Sequence, residues 1–251
     1  IYHAILRGFY ARLEAQGFWE RPDAPFPDRV LGEAEDEVFG RFTWRSLGVY
    51  PLLWEIVSDA MRGNLRRFLA WDITELRAGG LRPLLLETRL EAELPVRLPA
   101  ALAGMPFQGR ADRIDAGSGR FRVVDYKSRW RKGKLERLVL QGEQFQPPLD
   151  LELASLLPAL SGSVGEGVRF YSVEDAQGEH GRPVAEDYTA EAHGRNRKLV
   201  LESLSALVEI AAEGRFTIRP DEGRGGHCGF CSFGELCRKS HGPSLARSRA
   251  A

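Results

Sequence analysis

Val123-Val124-Asp125-Tyr126-Lys127 sets a carboxylate and an ammonium two residues apart in an apolar run. In an extended strand, residues i and i+2 share a face, so Asp125 and Lys127 point the same way. Burying both is costly unless they are paired or hold a metal. Upstream lies Gln108-Gly109-Arg110-Ala111-Asp112-Arg113-Ile114-Asp115, joined to it by the turn sequence Ala116-Gly117-Ser118-Gly119. The two stretches read as a β-hairpin, which lets Asp112 supply a second carboxylate beside Asp125. Two such groups hold a hard divalent cation, and a lysine next to it can orient a water. That is the chemistry of phosphodiester hydrolysis. Asp115 lies on the opposite strand face from Asp112 and shares its own face with Arg113, its expected structural partner.

The elements that position these residues are legible around them. Ile1, Ile5, Phe9 and Leu13 recur every four residues, predicting a helix over 1–18 ended by Gly17. Pro22 to Pro27 form a loop. A long helix is expected over about 50–78, with Leu53, Ile56, Val57, Ala60, Met61, Leu65, Phe68 and Leu69 on one side and Gly79-Gly80 as its stop. Strands are expected near 83–90, 93–98, 105–115 and 120–127. A helical stretch near 139–160 is broken by Pro147-Pro148; a strand at 167–173 and a helix over His193 to Glu213 follow. Strands interspersed with helices in this order give an α/β fold, a central mixed sheet flanked by helices.

At 251 residues, with 43% apolar and 28% charged composition, the chain has the makings of one large soluble domain. No run of about 18 uncharged apolar residues is present, so no membrane span is expected. The opening helix does not read as a secretory signal, which makes a cytoplasmic location the expectation. The start at Ile1, without methionine, reads as a fragment of something longer. Net charge is zero, but Lys127, Arg129, Arg131, Lys132, Lys134 and Arg137 crowd into eleven residues, with Trp130 among them. Such a loop suits a single nucleic-acid strand through phosphate contacts and base stacking; the plain alternative is a solvated loop.

The order of these motifs resembles the RecB-like branch of the PD-(D/E)xK nucleases. The shared pattern is a histidine on an early helix (His3), G-x-x-D-R-x-D (Asp112), hydrophobic-D-Y-K (Asp125 and Lys127), a glutamine helix (Gln146) and a C-terminal cysteine cluster. The resemblance implies a restriction-endonuclease-like core, with residues 20–80 a helical insertion. It also implies Mg²⁺ or Mn²⁺ held by His3, Asp112, Asp125 and the main-chain carbonyl of Tyr126, with Lys127 orienting or helping deprotonate water. Without it, His3 would read as an ordinary helix-surface histidine. Glu87 is the best match to an acidic residue on the first strand, and Glu91 is its rival. Where the family has Q-x-x-x-Y, this chain has Gln146 and then Asp150, an acid that would repel phosphate or recruit another cation.

Cys228, Cys231 and Cys237 lie in the segment 217–242, spaced for metal rather than for a disulfide framework. A 4Fe–4S cluster takes four thiolates, and the resemblance places the fourth upstream of residue 1. Zinc is the alternative, with His241 completing a Cys3His set. The family implied is most similar to AddB-type subunits of bacterial helicase–nucleases, which act on DNA in double-strand-break repair with a helicase as partner. A stand-alone CRISPR-associated RecB-like nuclease shares the same elements. The reading from another class is a catalytically degenerate DNA-binding or scaffolding module.

Overall fold

The apolar spacing of the N-terminus is realised as helix α1 (Tyr2–Ala15), which buries Ile5, Leu6, Phe9, Tyr10 and Leu13. The computed structural model describes residues 1–93, 100–174 and 182–215, together with Cys228, Cys231, Gly242 and Pro243. After α1 come α2 (Asp28–Arg41), the single turn α3 (Trp44–Leu47) and α4 (Pro51–Gly79). Gly80, at φ +62°, ends α4, and Leu81 donates back to the Leu76 carbonyl. The apolar side of α4 is buried only from Met61 onward; before it Leu53, Ile56 and Val57 are exposed, while Trp54 packs edge-on against Phe39 of α2. The sequence also missed α2, whose buried Val30, Leu31, Ala34 and Val38 share the α1–α4 core.

Five strands follow: β1 (Arg82–Ala92), β2 (Phe107–Gly117), β3 (Arg120–Lys127), β4 (Val164–Ser172) and β5 (Val184–Thr189), in spatial order β1-β2-β3-β4-β5. Among the described residues only β3 and β4 pair in parallel, so the sheet is mixed, as expected. The β2–β3 turn has Ser118 and Gly119 both at positive φ, the geometry that matches strand twist in a two-residue hairpin. At its mouth a Cβ on Gly117 would lie 2.1 Å from the Gly80 carbonyl, so glycine lets the end of α4 close on the hairpin. The strand expected at 93–98 falls almost wholly outside the described residues.

Between β3 and β4 run α5 (Leu135–Leu140) and α6 (Gln146–Ala154), and α7 (Ala190–Ala212) follows β5. Pro147 and Pro148 start α6 rather than interrupting a longer helix. Their fixed φ suits the first turn, where the missing N–H costs nothing. β3 is buried on both faces. Phe121 and Val123 join a core with α5, α6 and α7, while Val124 and Tyr126 join one with α1, α2 and α4. No helix among the described residues is long and apolar enough to cross a membrane.

Candidate active site

The β2–β3 ladder is recorded from Gly117–Arg120 to Arg113–Val124; one step further Asp112 stands across from Asp125. There a side chain replaces the backbone ladder: the Tyr126 N–H donates to Asp112 Oδ2 at 2.8 Å. On the other side, β1 pairs Leu86 with Arg113 and Thr88 with Ala111, which puts Glu87 across from Asp112. Glu87, Asp112 and Asp125 therefore form a row over three adjacent strands. Glu87 holds φ at +47°, left-handed backbone that is rare for a residue other than glycine and characteristic of functional sites. Of the two rivals, Glu87 lies in this row, with Arg110 3.2 Å from its Oε2, whereas Glu91 is exposed and engaged with Arg89 and Gln108.

His3 reaches this row from α1. Its Nε2 lies 3.1 Å from the Tyr126 carbonyl, and its Nδ1 lies 3.3 Å from Asp112 and 3.9 Å from Glu87. A carbonyl only accepts, so Nε2 carries a proton and Nδ1 faces two carboxylates. Two acceptors facing a bare lone pair need something positive between them, a proton or a metal ion. Without a metal, the hydrogen bond to Asp112 raises the His3 pKa above its ordinary value, against the pull of burial. Among the described residues, His3, Glu87 and Asp112 are the set whose ligand atoms lie within 4.8 Å of one another. Carboxylate oxygens and one imidazole suit Mg²⁺ or Mn²⁺.

Asp125 is differently engaged. Gln146, first residue of α6, donates from Nε2 to Asp125 Oδ1 at 2.7 Å, and Lys127 Nζ lies 2.7 Å from Oδ2. Burial raises the Asp125 pKa, Lys127 opposes that, and Asp112 adds to it. The ligand set drawn from the sequence thus divides. His3 and Asp112 meet Glu87, Asp125 sits beside them under Gln146 and Lys127, and the Tyr126 carbonyl faces His3. Lys127 also lies 4.7 Å above the Phe170 ring, which limits its positions.

Behind the row, on the opposite sheet face, Arg113 pairs with Asp115 at 2.7 Å, as its shared face foretold. The sequence reading missed that Asp72 of α4 joins them, along with the Tyr10 and Tyr126 hydroxyls. An aspartate inside the apolar stripe Phe68, Leu69, Ile73, Leu76 was the available signal. This network ties α1 and α4 to the side chain of the residue whose backbone meets His3 and Asp112.

The basic loop follows Lys127. Arg131 and Lys132 are exposed, without an acidic partner among the described residues, whereas Arg129 pairs with Glu174 at 3.0 Å. Trp130 is turned inward rather than outward for stacking. It packs on Phe170 at 5.0 Å, donates from Nε1 to Glu186 and lies beneath Lys134. Glu186, on the strand missed in the sequence, also accepts from the N–H groups of Gly133 and Leu135 and so pins the loop. Asp150, expected where a tyrosine would meet nucleotide, is 3% exposed. Burial lifts its pKa to about 7. Cys228 is half-buried and Cys231 exposed; Cys237 and His241 lie outside the described residues.

The profile of the PD-(D/E)XK nuclease superfamily matches residues 1–238. The chain belongs to that superfamily. Membership and geometry agree, since the mixed five-stranded sheet flanked by helices is its restriction-endonuclease-like core. The superfamily hydrolyses phosphodiester bonds with divalent metal ions. No curated protein matches the chain.

Proposed function

We propose that this PD-(D/E)XK domain is a deoxyribonuclease acting on single-stranded DNA with Mg²⁺ or Mn²⁺. The observation that carries the reading is the convergence of Glu87, Asp112, Asp125 and Lys127 with His3 on β1–β3. It supports taking the row on β1–β3, with Lys127, as the acidic, lysine-bearing motif of the superfamily. His3, Asp112 and Glu87, with Asp125 beside them, would hold a divalent ion, which would supply Lewis-acid chemistry that acidifies water and offsets phosphate charge. The chain's own groups do the remainder. Lys127 donates hydrogen bonds to the attacking water and to the scissile phosphate. Water oxygen adds to phosphorus, one P–O bond breaks, and the proton lost by the water is matched by one gained at the leaving oxygen. Asp125, held by Gln146, keeps Lys127 pointed at that position.

Arg131 and Lys132, exposed just beyond Lys127, hold the strand through its phosphates. The motif order supports a place in double-strand-break repair beside a helicase subunit. It also supports reading Cys228, Cys231 and Cys237 as iron–sulfur ligands, with zinc the alternative; metal analysis of anaerobically purified protein separates the two.

The test of the activity uses end-labelled single-stranded DNA, duplex DNA and RNA with Mn²⁺, with and without EDTA. The parent cuts the single DNA strand fastest, EDTA stops it, and Lys127→Ala is slower by roughly 10²-fold or more. DNA bound without cleavage by the parent would make the domain a degenerate binding module. Cleavage of RNA in preference would overturn the substrate.

A further inference from the structure

Asp150 stands one turn along α6 from Gln146, so both side chains lie on the same stripe of the helix. Gln146 donates to Asp125 Oδ1 at 2.7 Å, and the same amide holds the Asp150 pKa below where burial alone would put it. A primary amide has two N–H donors, so one glutamine can hold a carboxylate on each. Room for the second is made on β2. A Cβ on Gly109 would sit 2.9 Å from Asp150 Oδ1, with Leu153 and Leu90 at the rim of the notch. Asp150 Oδ2 is buried without a hydrogen-bond partner. A buried carboxyl with an unpartnered oxygen is an expensive choice at such a position. Its position makes sense through the amide on the same stripe.

We propose that Asp150 is a positioning residue for the cleavage reaction: it fixes the Gln146 amide and, through it, the orientation of the Asp125 carboxylate. Gly109 is the matching vacancy on β2. The inference rests on the nuclease reading of the site, since it is Asp125's role there that makes its orientation matter.

The test compares the parent with Asp150→Ala, Asp150→Asn, Gln146→Ala and the Gln146→Ala/Asp150→Ala double variant. Cleavage is measured at a series of DNA concentrations with Mn²⁺. Asp150→Ala lowers kcat about tenfold with KM nearly unchanged, because misplacing a group at the reacting centre costs rate rather than binding. Asp150→Asn restores most of the loss, since its carbonyl accepts the same hydrogen. In the Gln146→Ala background the Asp150→Ala change costs less than about twofold, as coupled sites require. An equal cost in both backgrounds, or none in either, overturns the proposal. A second readout does not depend on cleavage. The two Gln146 side-chain N–H resonances, dispersed in the parent and in Asp150→Asn, collapse toward free glutamine values in Asp150→Ala. A parent that fails to cut DNA sinks the nuclease reading; unchanged Gln146 resonances in Asp150→Ala sink the positioning role.

Discussion

Arg113 of β2 and Asp72 of α4 form an ion pair at 2.7 Å with neither side chain exposed at all. Burial works against the Arg113 charge, but Asp115 and Asp72 together raise its pKa well above the usual value. The pair joins α4 to the sheet face opposite the acidic row. Asp72 also accepts from Tyr10 of α1, and Arg113 donates to the Tyr126 hydroxyl at 2.7 Å. A helix carrying His3 and a strand carrying Asp125 are thereby fastened to one guanidinium.

Breaking this pair strands a buried charge. Asp72→Ala is expected to destabilise the domain by about 3–5 kcal/mol, read from urea unfolding. Replacing an exposed acid on the same helix, Asp59→Ala, is expected to change stability by less than about 0.5 kcal/mol. Equal effects would mean the network contributes little beyond surface charge.

Glu87 gives a prediction whose sign is inverted from the ordinary. In a regular strand, glycine is less stable than alanine by about 0.5–1 kcal/mol. At φ +47° the order reverses, because glycine alone adopts that backbone without cost. Glu87→Gly should therefore be more stable than Glu87→Ala by about 1 kcal/mol in thermal or urea unfolding. Both variants should lose affinity for Mn²⁺ by calorimetry, since each lacks the carboxylate facing His3.

Asp150 makes stability depend on pH. Its folded pKa, about 7, lies above the ordinary carboxylate value of 3.8, so the folded state binds the proton more tightly than the unfolded one. Stability from this group falls as pH rises from about 4 to about 7, by up to about 1.4 kcal/mol per unit, and is then level. Asp150→Asn should gain on the parent as pH rises from 4 to 7 and keep a constant advantage above that. A difference that did not change between pH 4 and pH 8 would contradict the burial of this carboxyl. Asp150→Tyr, attractive from the sequence as a stacking aromatic, should instead destabilise by about 1–3 kcal/mol, because the notch over Gly109 holds only a carboxyl.

The exposed pair Arg131 and Lys132 should govern salt dependence rather than rate. Replacing both with alanine is expected to reduce the slope of log affinity for single-stranded DNA against log salt by about 0.7 for each phosphate no longer neutralised. The rate at saturating DNA should stay near that of the parent. A slope unchanged by the double replacement would move the DNA path away from the loop.

Much of this site was legible in the chain itself. The period-two register of a strand put Asp125 with Lys127 and set Asp112 against Asp115, and a two-residue turn joined the strands; these are local rules that the fold obeyed. The stripe of α1 and the glycines ending α1 and α4 were equally local. What the sequence could not specify depends on distant neighbours. The partnership of Asp72 with Arg113 spans 41 positions, and Glu87 meets Asp112 only through the pairing of β1 with β2. Trp130 faces inward because β5, short and without a clear alternating pattern, brings Glu186 beneath the loop. Asp150 is buried because α6 begins at its prolines and lies over Gly109. Residue type and spacing decide which chemistry is available. Burial, and the partner each polar atom finds across the fold, decide which residue performs it, since the cost of an unmatched buried charge is set by the tertiary surroundings and not by its neighbours in the chain.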